Sequence, residues 1–474
     1  MTQRGESTES GRLARMGFSD TVRVASVLAS NPLLAARVEC ARAAADPDAA
    51  VLGLGRILDS GAVDAGSWSH EQWRRLAMLV GGSAALAEHL ARHPAHCGYV
   101  AGIDALPEAD YLKGVMLTAI AGRPWPAALI ALRVAYRREV CAIAALDLEA
   151  GSQSVRLLPA VTHSLSDLAD AVLAAALALA IQEVPAAADS GLAVVAMGKC
   201  GGRELNYVSD VDVVFVARIA DEAATAAAQL MMRACSEPTA EGAIWEVDAA
   251  LRPEGKAGPL VRTLPSFVDY YQRWAQAWEF QALLKARFVA GDATLGEEFS
   301  AALHGFVWTA AGREGFVESV QAMRERVAAL VPAKEAEREL KLGRGGLRDV
   351  EFAVQLLQLV HGRGDELVRS ANTMLGLEQL ATWGYVGRDD AAQLSAAYAF
   401  LRTLEHRIQV GRMRRTHVLP ESDIELRRLG RSMGMTAEPV DELTREWRRH
   451  AREVRRIHEK LFYRPLLTAV AKLS

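Results

Sequence analysis

"MGKCGGRELNYVSDVDVVFV", Met197 to Val216, sets two carboxylates, Asp210 and Asp212, at the head of an apolar strand. Behind them lies a glycine-rich loop with one lysine, Lys199. An ionised carboxylate enters apolar surroundings at high desolvation cost unless a partner or a cation compensates it. Strand side chains alternate between faces, so Asp210 and Asp212 project to the same side. Two carboxylates held that close repel, and one would stay protonated unless a cation neutralised them. Oxygen-only ligands favour Mg2+, with Mn2+ as the alternative. A third carboxylate is needed for a metal pair, and "WEVDAALRP" supplies Asp248, with Glu246 on the same face as its substitute. Two metals about 4 Å apart suit in-line displacement at phosphorus.

The loop before the pair adds anion-binding capacity. Gly198, Gly201 and Gly202 let backbone amides approach a phosphate, and "GGRELNY" is expected to open a short helix whose N-terminus favours anions. Lys199 and Ser209 add side-chain donors. Neither G-x-x-x-x-G-K-[ST] nor G-x-G-x-x-G occurs in this stretch. Further along, Arg252, Lys256, Lys285 and Arg287 are candidates to neutralise phosphate oxygens, and for each a structural role is equally open. "KLGRGGLRDVEF" from Lys341 leaves a similar choice. Gly343, Gly345 and Gly346 form either an anion-binding turn, with Lys341 and Arg348 as donors, or a hinge or cap before a helix. Trp274 and Trp278, at helical spacing beside Tyr270 and Tyr271, read as core rather than as a base-stacking platform.

Composition bounds the rest. A chain of 474 residues exceeds one ordinary core. With 51% hydrophobic and 24% charged residues it has the balance of a soluble globular protein. A net charge of -4 argues against a nucleic-acid partner, and "REWRRHAREVRRIHEK" from Arg445 reads as a solvated helix face. Five cysteines without C-x-x-C spacing suit a reducing cytoplasm, with no disulfide framework or zinc ribbon. "HPAHC" (His93 to Cys97) lacks a second ligand pair and is not read as a metal cluster. The longest wholly apolar run, Ala171 to Ile181, is too short to cross a bilayer, so no membrane is expected. "MTQRGESTESGR" at the start lacks the apolar stretch of a signal peptide and reads as a frayed tail.

From about Asp20 to Val184 apolar residues recur at three- and four-residue steps, the helical pattern. Near Pro185 the texture changes. "GLAVVAMG" (Gly191 to Gly198) reads as a buried strand, and "DVDVVFV" and "AIWEVDAALRP" as two more, with "EAATAAAQLMMRACSE" as a helix between them. "LRPEGKAGPLVRT" looks like a strand, a glycine turn at Glu254-Gly255 and a return strand. After Gly291 the helical texture resumes: "GFVESVQAMRERVAALV" and "DAAQLSAAYAFLRTLEHRIQVGRM" are amphipathic, as in an antiparallel bundle. The expected division is a disordered tail over 1–19, a helical domain over 20–185, an α/β catalytic domain over 186–297 and a C-terminal helical bundle over 298–474.

Glycine loop, strand, D-x-D and later acidic strand, in that order, resemble the polymerase-β type of nucleotidyltransferase core, here with flanking helical domains in an α+β, mostly helical chain. The resemblance is closer than fold level. "MGKCGGRELNYVSDVDVVFV", "VDAALRPEGKAGPLVRT", "YYQRWAQAWEFQALLKARFVAGD" and "KLGRGGLRDVEFAVQLLQL" resemble successive signatures of the bifunctional glutamine synthetase adenylyltransferase/adenylyl-removing enzymes. Members of that family are about twice as long and carry two nucleotidyltransferase units. "ELNY" and "LLKAR" resemble the N-terminal, deadenylylating unit; the adenylylating unit reads "ELGYGSD" and has arginine for that lysine. The polar start agrees with an N-terminal fragment. Cys200 departs from the family's usual leucine and is expected to make a buried apolar contact.

The resemblance implies removal of AMP from a tyrosine of adenylylated glutamine synthetase, with inorganic phosphate as nucleophile and ADP as product. Asp210 and Asp212 would hold the metal pair and Asp248 would be the third ligand. Implied partners are glutamine synthetase, the nucleotides ADP and AMP, a PII-type signalling protein and the C-terminal adenylylating half. Two rivals stay open: an ATP-dependent adenylyltransferase, and a non-catalytic module that binds a PII-type protein or glutamine synthetase.

Overall fold

The computed structural model describes residues 9–463. The fold is α+β and mostly helical, with a nucleotidyltransferase-type core. Its strands are β1 (Leu192–Ala196), β2 (Val211–Ala217), β3 (Val247–Asp248), β4 (Val261–Thr263) and β5 (Arg287–Gly291). They form one mixed sheet in the order β3-β2-β1-β5, with β4 also beside β2. β1 is antiparallel to both β2 and β5. β2 pairs in parallel twice, with β3 at Val211 and Asp212 and with β4 from Phe215 to Ala217. The helix Glu222–Ser236 makes the crossover that a parallel pair requires, and its N-cap Asp221 accepts from the Ala224 amide.

All five residues of β1 are buried, as its continuous apolar run requires. Ala193, Val195, Met197, Val214 and Val216 share one core with Phe267, Tyr271, Phe280, Phe299 and Phe352. Asp210 and Asp212 continue the Val214–Val216 side of β2, at the end of the face that the helices cover.

The structure corrects several expectations. "LRPEGKAGPLVRT" is no hairpin, because β3 and β4 both run parallel to β2. Between them the chain closes into a loop around Arg252, whose guanidinium donates to the carbonyls of Ala249 (2.8 Å), Gly258 (3.1 Å) and Lys256 (3.2 Å). Pro253 has no N–H to give a ladder, and Glu254 is left-handed at φ 64. β5 was not anticipated, since "RFVAG" is an edge strand without a clean alternation of burial. The short helix is Gly198–Gly201 and ends before "RELNY". Of the expected tail, residues 1–8 lie outside the described residues, and Glu9–Arg15 is a helix with Leu13 buried. One helical stretch, Gly151–Glu183, is long and apolar enough to cross a bilayer by composition, but 78% of its apolar window is buried, so its apolarity builds core. All five cysteines are buried thiols without a disulfide.

Two compact units are distinguished, and neither is one continuous segment. The first takes residues up to Pro107, Arg137–Val161 and Thr403–Glu446. It holds a buried pair in which Arg407 donates to both Asp147 carboxylate oxygens, at 2.6 and 2.8 Å. The second takes Glu108–Tyr136, Thr162–Arg402 and residues from Trp447 onward, and it contains the whole sheet.

Candidate active site

Register assembles the acidic cluster. Parallel pairing sets Asp212 opposite Asp248, and Asp210 lies two residues back on the same side of its strand. Ligand atoms of Asp210, Asp212 and Asp248 all lie within 4.8 Å of one another. Backbone bonds fix the frame: the Val211 amide donates to Glu246 O (2.9 Å), and the Met197 amide to Asp212 O (2.8 Å). Asp248 Oδ1 accepts from the Ala250 amide at 2.8 Å, and the Ser209 hydroxyl lies 3.4 Å from Asp210 Oδ1. Burial, then Asp210 and Asp248, push the Asp212 carboxyl up to about 6, against the opposing pull of Lys341 and Arg348. Glu246 is exposed and outside the cluster.

Gly198 is at φ +53, and a Cβ there would stand 2.5 Å from Asp212 Oδ2. Any side chain at 198 would therefore displace the carboxylate. Gly201 and Gly202 serve packing instead: a Cβ at 201 would overlap the Lys285 carbonyl oxygen, and one at 202 would lie 2.7 Å from Ala371 O. Three mutually repelling carboxylates with an all-oxygen donor set, and a glycine that leaves one of them room, fit a divalent cation. Asp210, Asp212 and Asp248 are the residues that would hold it.

Asp212 opens on a cleft of about 250 Å³ whose polar wall includes Lys199, Lys285, Arg348 and Glu351. Burial raises the Glu351 carboxyl, yet Arg348, Lys199, Lys285 and Lys341 together hold it down at about 2. Arg348 Nη1 is 3.2 Å from Glu351 Oε2, and Lys199 Nζ donates to Asn206 Oδ1 at 3.2 Å. Lys285 Nζ pairs with buried Glu204 and donates to Thr373 Oγ1 at 3.1 Å. A carboxyl depressed from the usual 4.5 to about 2 adds stability that is present above pH 4.5 and is lost as pH falls through 2. Glu351→Gln should therefore cost about 3 kcal/mol near neutral pH, and the difference from wild type should vanish towards pH 2. Urea melts at several pH values test this; a difference independent of pH would refute it.

The other basic candidates are placed elsewhere. Arg252 is committed to its loop carbonyls, and Lys256 is exposed on the turn Gly255–Ala257. Arg287 makes a bidentate pair with Asp170 (2.6 and 2.9 Å). The structure thus gathers Lys199, Lys285 and Arg348 in the cleft with Lys341 in their field, and does not bring Arg252, Lys256 or Arg287 there. Cys200 Sγ lies 3.8 Å from Asp170 Oδ1, so its neighbour is a carboxylate rather than a purely apolar group.

In "KLGRGGLRDVEF" the turn amides are taken by protein carboxylates, one from just before the stretch and one from within it. The amides of Lys341 (3.0 Å), Leu342 and Gly343 (2.7 Å) all donate to Glu339 Oε2. Asp349 accepts from the Gly345 amide (2.6 Å) and from Arg324 Nε (2.7 Å). These bonds fix the start of the helix Leu347–His361.

Sequence reasoning missed Glu351, Gln355 and Gln281, all of which line the cleft. A partial signal was present: Arg348, Glu351 and Gln355 fall at i, i+3 and i+7 on one face of a mostly buried helix, though Asp349 and Gln358 on the same helix are buried polar residues as well. Trp274 and Trp278 are not core: Trp274 is 71% exposed, and Trp278 is half-buried against the cleft.

Residues 73–302 match the family model described as glutamate-ammonia ligase adenylyltransferase, and residues 318–462 the one described as GlnD PII-uridylyltransferase. The bifunctional glutamine synthetase adenylyltransferase/adenylyl-removing enzyme of Streptomyces avermitilis is 54% identical over 99% of this chain and 48% of its own length. The chain is a homologue of these enzymes. The enzyme of the same description from Streptomyces coelicolor is 52% identical over all of this chain and 49% of its own length. The one from Mycobacterium bovis is 50% identical over 84% of this chain and 40% of its own. The chain spans about half the length of the curated relatives it matches. The first matched stretch contains all five strands, and the second contains Arg348, Glu351 and Gln355.

Proposed function

We propose that this chain removes AMP from adenylylated glutamine synthetase by metal-dependent phosphorolysis of the AMP–tyrosine bond, giving ADP and the unmodified enzyme. The observation that carries the reading is the Asp210–Asp212–Asp248 cluster beside a cleft wall of Lys199, Lys285 and Arg348, with Lys341 in their field. An oxygen of hydrogen phosphate bonds to the AMP phosphorus as the bond to the tyrosyl oxygen breaks, and the proton of the phosphate ends on the tyrosine hydroxyl. Phosphate is already a good nucleophile, so positioning and charge neutralisation suffice. Asp210, Asp212 and Asp248 would hold divalent cations, Mg2+ or Mn2+, which would neutralise charge at the phosphorus. Lys199 and Arg348 hold anionic oxygens from the opposite sign of charge.

The direction of the chemistry is supported by "ELNY" and "LLKAR". Lys285, the residue of "LLKAR" that differs from the adenylylating unit, is held beside the cleft by a buried ion pair with Glu204, and Asn206, the residue of "ELNY" that differs, accepts from Lys199 Nζ of the cleft wall. The match of residues 318–462 to a PII-uridylyltransferase model supports a PII-type protein as a regulatory partner in control of nitrogen assimilation, in the cytoplasm. The adenylylating half of a longer chain is a further proposed partner.

Given adenylylated glutamine synthetase, phosphate and Mg2+, the chain should release ADP; given the unmodified enzyme and ATP, it should do little. Phosphorus NMR or chromatography of the nucleotides reads both regimes. Pyrophosphate from ATP with no ADP from the adenylylated substrate would establish the adenylyltransferase instead, and turnover in neither regime would favour the non-catalytic module.

A further inference from the structure

We infer that Gln281 and Gln355 form an adenine-reading subsite in the cleft beside Asp212, an inference that rests on the nucleotidyl-transfer reading above. Away from its charged wall the cleft is apolar, lined by Leu251, Ala282, Met323, Val327 and Phe352, with half-buried Trp278 at its edge. Two amides sit in that apolar lining, Gln281 at 5% and Gln355 at 9% exposure. Gln281 Nε2 donates to Gln355 Oε1 at 2.6 Å, which ties the helix Ala277–Leu283 to Leu347–His361. That bond accounts for half of Gln281. Its Oε1 is buried with no hydrogen-bond partner.

A buried acceptor left unpaired carries its full desolvation penalty, so a purely structural amide here is a poor choice beside leucine or methionine. The oxygen calls for a donor delivered by whatever fills the cleft. Adenine has one in its exocyclic amine, and the neighbouring ring nitrogen accepts the second N–H of Gln281 Nε2. This is the bidentate pairing that makes a glutamine amide complementary to adenine. Guanine and uracil present a carbonyl oxygen at the corresponding place and would set oxygen against oxygen. The apolar lining suits a flat base, and Trp278 and Phe352 are aromatic residues in it. Arg348 lies 5.9 Å from the Phe352 ring and also reaches Glu351, so one helix joins the base-lining side of the cleft to its charged side.

Calorimetric titration of the whole chain in Mg2+ with ADP and with GDP tests the subsite. ADP should bind at least tenfold more tightly than GDP. The diphosphate of unsubstituted purine riboside, which lacks the exocyclic amine, should also bind at least tenfold more weakly than ADP, and that comparison needs no variant. Gln281→Met should weaken ADP until the two nucleotides lie within threefold, with GDP binding retained as the check on folding. Trp278→Leu should weaken both alike and leave their ratio unchanged. Equal binding of ADP, GDP and the purine diphosphate would overturn the subsite while leaving a nucleotide site standing, and so would an undiminished preference in Gln281→Met. No nucleotide binding at all in Mg2+ would overturn both this subsite and the reading on which it rests.

Discussion

Asp212→Asn is expected to lower the proposed phosphorolysis by on the order of 1,000-fold while leaving the fold intact, and Asp210→Asn should do the same. Each change removes one anionic oxygen from a cluster whose ligand atoms lie within 4.8 Å of one another. The charge that develops at phosphorus would then lose the neutralisation the cluster is built to organise. The fold should not suffer, because burial and the neighbouring Asp210 and Asp248 already oppose ionisation of Asp212. A neutral amide relieves that repulsion, so either variant should melt at or above the wild-type temperature when no divalent cation is present. Adding Mg2+ should raise the wild-type midpoint more than that of either variant, by mass action on the folded state. Glu246→Gln is the contrasting change: that side chain is exposed and outside the cluster, and ADP formation should be unaffected. ADP release and melts with and without Mg2+ decide the matter. Near-normal activity in both aspartate variants would remove the cluster from the chemistry.

What the sequence could reveal followed the range of the interactions. Asp210 and Asp212 were legible as a pair because alternation along a strand is local geometry. The helices Phe316–Ala329 and Arg388–Arg412 were legible because an amphipathic period announces itself within one segment. Asp248 was legible on its strand, β3, but the hairpin read after it was wrong, since the chain closes into a loop around Arg252 and β4 pairs in parallel with β2. The tryptophans failed for a definite reason. Four-residue spacing implies a shared helical face only inside one helix, and here the helix Leu264–Arg273 ends before Trp274, while the next begins at Ala277. Partners far apart in sequence were beyond reach. Nothing local to Gln281 signals Gln355, and nothing local to "ELNY" signals the lysine of "LLKAR".

Lys285→Met should cost about 3–5 kcal/mol, the range for removing one partner of a buried ion pair. That corresponds to a fall in melting temperature on the order of 10 °C. Glu204 is only 4% exposed, and Lys285 is 6% exposed. Without the ammonium, the Glu204 carboxylate keeps the Thr373 amide and hydroxyl as donors but loses the cation paired with it. Lys285→Arg should not rescue the loss. The lysine stem passes a glycine, with a Cβ at Gly202 lying 3.2 Å from Lys285 Nζ and 3.3 Å from its Cδ, and a planar guanidinium needs more room than a compact ammonium. The double variant Glu204→Gln, Lys285→Met removes both charges together and should recover at least half of the single-variant loss, because the penalty lies in the orphaned charge rather than in the absent bond. Melts of the two single variants and the double one form a complete cycle, and residues in direct contact should couple strongly in it. If the two losses simply add, Glu204 and Lys285 are not energetically coupled, and the penalty does not come from an orphaned charge.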